Sequence, residues 1–379
     1  MAQNRIYLCL AHMSGKEQHY IQEAFDTNWV VPLGPNVNGF EDSIKNYIGN
    51  SKHVVALSAG TAGLHLALIQ VGVESGDEVI CQSFTFAASA NPIVYLGAIP
   101  VFVDSEEDTW NMDPVLLEKA IVDRIEKTGN KPKAIIPVHL YGMPAKIDEI
   151  CKIADKYGIP IIEDAAEALG SEFKGRKCGT FGNFSCLSFN GNKMITTSGG
   201  GALVCDNQAA MDKTMFYATQ AREAFPYYQH EEIGYNYRMS NICAGIGRGQ
   251  MTVLDEHIVH HKYIHDLYMK AFENIDGITV LDNPSSDFNS NFWLSTILVD
   301  ESIFGCSFND IRIMLDENGI ESRHLWKPMH LQPVFKDVPM YVNGVSEKLF
   351  NMGLCLPSGP CVSDEDVNRI IGNILDMRK

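Results

Sequence analysis

The chain has 379 residues, 45% of them hydrophobic and 20% charged, with a formal net charge of −17. That length accommodates two cored domains, and the apolar content excludes a disordered chain. The acidic balance argues against nucleic acid as a partner, since binding a phosphate backbone takes clustered Lys and Arg; a small anionic ligand needs only a few local donors. The cysteines are scattered from Cys9 to Cys361 with no CxxC pair or His/Cys cluster. They read as free thiols of a reducing compartment, with no metal site expected. The apolar run Ile6–Leu10 is too short for a signal-peptide core, and nothing approaches the ~20 apolar residues of a membrane span. A cytoplasmic chain without a membrane partner is therefore expected.

In chain order, short apolar runs at Val54–Leu57, Glu78–Cys81, Pro100–Val103, Ala134–His139, Pro160–Glu163 and Ser185–Phe189 suit strands covered on both faces, as in a mostly parallel sheet. Amphipathic stretches lie between them, such as Thr61–Val71 and Lys146–Tyr157, the latter stopped by Gly158. This alternation predicts α/β architecture. A long helical stretch over Asn241–Phe272 leads to a different pattern, with strands at Thr279–Leu281 and Phe292–Leu298 and helices at Phe308–Asn318 and Asp364–Met377. The expected division is an N-terminal arm (1–20), a large α/β domain (21–255) and a smaller C-terminal α+β domain (256–379).

Three segments carry chemistry. The run Ile161–Gly170 ends a hydrophobic strand in Glu163 and Asp164, where open α/β sheets face their ligand crevice; alone, Asp164 reads equally well as a helix cap. Lys193 lies on a small-residue loop between the strand ending near Phe189 and the apolar strand Ala202–Cys205. Most lysines are solvated, but burial disfavours an ammonium and makes an amine nucleophilic enough for Schiff-base chemistry. A carboxylate at a strand end then suits the protonated nitrogen of a pyridine cofactor. Leu57–Gly63 follows a strand and opens a helix whose free N–H groups suit a phosphate, although Ser and Gly there are also routine capping. Ser188 adds a hydroxyl. Phe86, after another strand end, could stack on a cofactor ring or serve as plain core. The run Gly245-Ile246-Gly247-Arg248-Gly249 falls inside a helical pattern without the spacing of a dinucleotide loop, so a Rossmann oxidoreductase is not expected.

Gly60-Thr61-Ala62, Phe86, Glu163-Asp164-Ala165-Ala166-Glu167, Ser188 with Lys193, and Gly234–Arg238, taken together in this order, resemble the DegT-type nucleotide-sugar aminotransferases, which are fold-type I pyridoxal-phosphate enzymes. Glu163–Ser171, Asn190–Gly201, Gln220–Glu223 and Leu325–His330 look closest to the UDP-N-acetylbacillosamine-pathway transaminases. Those aminate C4 of a UDP-linked 2-acetamido-2,6-dideoxy-4-ketohexose with L-glutamate as donor. A GDP-linked or differently configured 4-keto sugar, of perosamine or pseudaminic-precursor type, is the alternative. The resemblance implies that Lys193 forms the internal aldimine with pyridoxal 5'-phosphate and shuttles the proton to sugar C4, and that Asp164 pairs with the pyridinium nitrogen. It further implies that Gly60, Thr61, Ala62 and Ser188 bind the phosphate, Phe86 stacks on the ring, and Glu167 lies near the phenolic oxygen, where many relatives carry His or Gln. Asn236 would reach the cofactor phosphate of a neighbouring subunit in a homodimer with shared sites. Asn28, Trp29, Val30, Val31, Arg238, Trp326, Lys327, Met329 and His330 would contact the nucleotide sugar. Dehydratases of this fold resemble the chain with His in place of Lys193, and a non-catalytic sugar-nucleotide binder would have no need of that lysine.

Overall fold

The computed structural model describes residues 4–378. Seven strands build its large sheet: β1 (His53–Leu57), β2 (Glu78–Gln82), β3 (Ile99–Val103), β4 (Ala134–Ile136), β5 (Ile162–Asp164), β6 (Phe184–Ser188) and β7 (Gly201–Cys205). Their spatial order is β1-β7-β6-β5-β4-β2-β3, with β4 and β5 joined by the bridges Ile135–Ile161 and Val138–Asp164. Only β7 runs against its neighbours. The others are parallel and almost wholly buried, which is why they read as unbroken apolar runs.

The fourth run is shorter than the pattern Ala134–His139 predicts. Pro137 carries no N–H, and the strand stops before it. The backbone beyond finds other acceptors: Val138 N–H donates to Gln82 Oε1 (3.2 Å) and His139 N–H to the Asp164 carbonyl (3.1 Å). Helix Gly60–Gln70 is apolar nearly all round and is correspondingly buried against β6 and β7. The helical stretch expected over Asn241–Phe272 is present as two helices, Asn241–Met251 and Leu254–Phe272. At the break the Thr252 hydroxyl donates to the Gly249 carbonyl (2.7 Å), a local bond that competes with continued helix.

The glycines of the run 245–249 serve packing. Helices Glu17–Asp26 and Pro35–Tyr47, which the apolar pattern did not single out, lie against Asn241–Met251. A Cβ at Gly247 would stand 2.6 Å from the Phe40 ring, and one at Gly249 2.8 Å from the Glu17 nitrogen.

In the C-terminal third, Ile278–Val280, Ser295–Val299, Gly353–Leu356 and Arg323–His324 form an antiparallel sheet. Helices Phe308–Glu317 and Asp364–Leu375 cover it, each opened by a capping box, Ser307 with Asp310 and Ser363 with Asp366. The strand expected over Phe292–Leu298 begins only at Ser295, because Phe292 sits at φ 47° in a turn closed by Trp293 N–H on Asn291 Oδ1 (2.8 Å). Two segments cross the expected divisions. Ile6 of the arm bridges Ile320 of this smaller layer, and Met340–Tyr341 extends the large sheet beside β3. Among the described residues no helix is long and apolar enough to cross a membrane.

Candidate active site

The parallel strands deliver their C-terminal ends to one side of the sheet, and antiparallel β7 brings its first residue to the same side. The loops there enclose a cavity of about 300 Å³. Gly60 and Thr61 reach it from β1, Phe86 from β2, Asp164 and Glu167 from β5, Ser188 and Lys193 from β6, with Trp326 from the C-terminal third.

Asp164 is buried. Its Oδ2 accepts from Ser89 Oγ (2.7 Å), which itself accepts from Thr85 Oγ1 (2.7 Å), while Oδ1 accepts from Ala166 N–H (3.2 Å). No helix follows Asp164, so in place of the helix cap its Oδ1 holds a turn, and the residue lines the cavity. The neighbouring Glu163 points elsewhere: it accepts from Gly179 and Gly182 N–H (2.8 and 2.6 Å) and meets His139 Nε2 at 3.0 Å. Burial raises its proton affinity, but His139 and the two amides hold Glu163 below the ordinary range.

Lys193 Nζ lies 3.4 Å from Glu167 Oε1 and 4.0 Å from the centre of the Trp293 ring. The other oxygen of Glu167 accepts from Tyr141 N–H (2.6 Å), and Tyr141 adopts φ 55° to present it. Burial, helped by Asp164, pushes the Glu167 carboxyl above its ordinary range against the pull of Lys193. The Tyr141 hydroxyl accepts from Trp326 N–H (2.8 Å), tying the C-terminal third to this wall. Phe86 and Trp326, ring centres 5.2 Å apart, lie together on the lining.

The helix from Gly60 starts without a side-chain cap, so its first N–H groups, which have no intrahelical acceptor, are available to an anion. Its close seat requires Gly201, where a Cβ would stand 2.3 Å from the Gly60 nitrogen.

Other residues implicated by the sequence lie off this cavity. Ala62 is buried behind the lining. Trp29, Val30 and Val31 are exposed; the Trp29 and Val31 carbonyls accept from Asn241 Nδ2 and N–H (3.0 and 2.9 Å), and Asn28 sits at φ 58°. Asn236 and Arg238 border a separate surface depression with Pro32, Leu33 and Thr219. Arg238 Nη1 is committed to Glu41 Oε1 (2.8 Å) and the Ala56 carbonyl (3.1 Å). Lys327 is exposed and Met329 is core. The His330 ring is held between Ser83 Oγ (2.7 Å) and Glu347 Oε1 (3.2 Å). Sequence reasoning missed Ser89, Tyr141 and Trp293. The hydroxyls of Thr85 and Ser89, four apart after a strand end, were a usable signal for the first; the other two depend on contacts across the fold.

Residues 12–375 match the DegT/DnrJ/EryC1/StrS aminotransferase family. The chain belongs to this family. It is 49% identical over 98% of its length, and 96% of the relative, to EpsN of Bacillus subtilis (strain 168), which carries the name of a pyridoxal phosphate-dependent aminotransferase. It is 36% identical to GDP-perosamine synthase of Escherichia coli O157:H7, covering 96% and 95% of the two chains. The crystal structure of a DegT DnrJ EryC1 StrS aminotransferase from Brucella abortus superposes with a TM-score of 0.89 at 31% identity, over 96% and 95% of the chains. The protein is thus a fold-type I, pyridoxal-phosphate-dependent sugar aminotransferase. Its cavity fits that cofactor by donor chemistry: an uncapped helix N-terminus suits a phosphate, a buried carboxylate a ring nitrogen, and an amine an aldehyde.

Proposed function

We propose that the chain transfers the amino group of L-glutamate to C4 of a UDP-linked 2-acetamido-2,6-dideoxy-4-ketohexose. The products are 2-oxoglutarate and UDP-4-amino-4,6-dideoxy-GlcNAc, a bacillosamine-type glycan precursor. The observation that carries this reading is the meeting of Lys193, Asp164 and the uncapped Gly60 helix around one cavity. Bound there, pyridoxal phosphate supplies an electron sink through which an amine and a carbonyl exchange. Lys193 would hold the cofactor through its Nζ, and that nitrogen, when free, would carry a proton to or from sugar C4. Asp164, held by Ser89, keeps the proton on the ring nitrogen. Gly60, Thr61 and Ser188 receive the phosphate, with Ala62 supporting their turn from behind, and Phe86 and Trp326 flank the entrance.

Asn236 stands outside this chain's own cavity, which supports its serving the site of a second copy in a homodimer. Exposed Phe25, Trp29 and Leu33 lie in the chain segment beside the same depression and would be covered in that dimer. In the same reading, Asn28–Val31 and Arg238 border the sugar nucleotide from the partner's side, and Lys327, Met329 and His330 form the segment that holds Trp326.

A GDP-linked 4-keto sugar is the second reading, favoured by the similarity to GDP-perosamine synthase. A panel of UDP- and GDP-linked 4-keto sugars, incubated with glutamate and read by product mass, decides between them. The UDP-linked 2-acetamido sugar is expected to give at least tenfold the kcat/KM of the GDP sugar; the reverse order overturns the first reading in favour of the second.

A further inference from the structure

Trp293 is buried, and its own contacts are specific. The indole Nε1–H donates to the Asn192 carbonyl (2.6 Å), immediately before Lys193 in the chain. Its backbone N–H is fixed by Asn291 Oδ1, whose side-chain amide donates to the Glu167 and Leu169 carbonyls (3.0 and 2.9 Å). The ring is therefore locked to both the lysine loop and the segment bearing Glu167. Its face lies 4.0 Å from Lys193 Nζ, well inside the reach of a cation–π contact. Glu167 Oε1 stands 3.4 Å from the same nitrogen, so a carboxylate and a ring face meet one amine. The titratable groups facing that amine are Glu167, Asp164 beyond it, and the Cys9 and Cys186 thiols, both of which burial keeps protonated. A ring face cannot take a proton, and it favours the ammonium.

We propose that Trp293 is a positioning residue for Lys193: its indole face holds the ammonium form that the lysine amine takes once it has accepted a proton. An aminotransferase frees this amine in every catalytic cycle. An ammonium held on the ring stays within the site with its proton ready for delivery. The same hold slows capture of free cofactor, for which the nitrogen must be neutral to attack the aldehyde and expel water.

The test is the rate at which cofactor-stripped protein recaptures pyridoxal phosphate, followed by absorbance without any turnover. Trp293→Phe keeps a ring face and Trp293→Met does not, while both lose the indole N–H. Trp293→Met should recapture about tenfold faster than Trp293→Phe at pH 7, a desolvated cation–π contact being lost, and the ratio should shrink towards one by pH 10. A purely structural role would instead slow both variants alike at every pH. Fluorinated tryptophan, incorporated in a Trp326→Phe background so that Trp293 is the one indole lining the cavity, weakens the ring face without changing its packing and covers the case in which either variant misfolds. It should speed recapture at pH 7 and leave pH 10 unchanged. Equal rates for Phe and Met, or no effect of fluorination, would overturn the proposal.

Discussion

Ser89 donates its hydroxyl to Asp164 Oδ2 over 2.7 Å, joining the turn after β2 to the end of β5. The bond fixes the rotamer of a buried carboxylate and leaves its charge in place, because a hydroxyl has a proton to share but no charge to cancel. Asp164→Asn should therefore lower kcat by at least a hundredfold with little loss of melting temperature, as electrostatic support at the reacting ring is lost. Ser89→Ala should cost only about three- to tenfold, because the carboxylate remains. Steady-state kinetics with calorimetry checks both; equal losses in the two variants would contradict this ordering.

Gly201 allows the Gly60 helix to approach β7. Gly201→Ala places a methyl 2.3 Å from the Gly60 nitrogen, so backbone must shift. The expected result is about 1–3 kcal/mol of lost stability and at least tenfold weaker pyridoxal phosphate binding. Gly191→Ala, whose Cβ would meet only the Ser198 carbonyl at 4.0 Å, is the control and should leave stability within about 0.5–1 kcal/mol of wild type.

Burial pushes the Glu167 carboxyl above its ordinary range, so the folded state binds this proton more tightly than the unfolded state. Stability from this group is present in full below the unfolded value and is lost as pH rises through the folded one. Glu167→Gln cannot ionise. Its melting temperature relative to wild type should rise between pH 4.5 and pH 8, on the order of 2 °C. A difference that stays flat or falls with pH would show the opposite sign of coupling.

If Asn236 serves a partner's site, complementation follows. Lys193→Ala and Asn236→Ala proteins, each inactive or nearly so, should regain activity when unfolded and refolded together. Random pairing returns about a quarter of the sites to a full set. No recovery in a mixed sample that chromatography shows to be dimeric would confine each site to one chain.

Much of this site is legible in sequence because its parts sit at strand ends. Asp164, Ser188 and Phe86 each follow an apolar run, and a parallel sheet sends all such ends to one side. Lys193 stands out by its small-residue loop. Legibility fails where a residue's role depends on distant contacts. Arg238 is named by resemblance alone, and the bond of its guanidinium to Glu41, 197 positions away, cannot be read from the chain. Trp293 reads as part of a strand, and only the turn at Phe292 directs its ring to Lys193. The glycines at 245–249 mimic a nucleotide loop, while their physical task is to let helices touch.

The central claim, that Lys193 carries the cofactor through an amino-group exchange, is tested in a single cuvette. The long-wavelength absorbance of the purified, cofactor-loaded protein should fall on adding L-glutamate and return on adding the 4-keto sugar nucleotide, and Lys193→Ala should do neither. An absorbance indifferent to glutamate, or a Lys193→Ala protein that cycles like wild type, would contradict it.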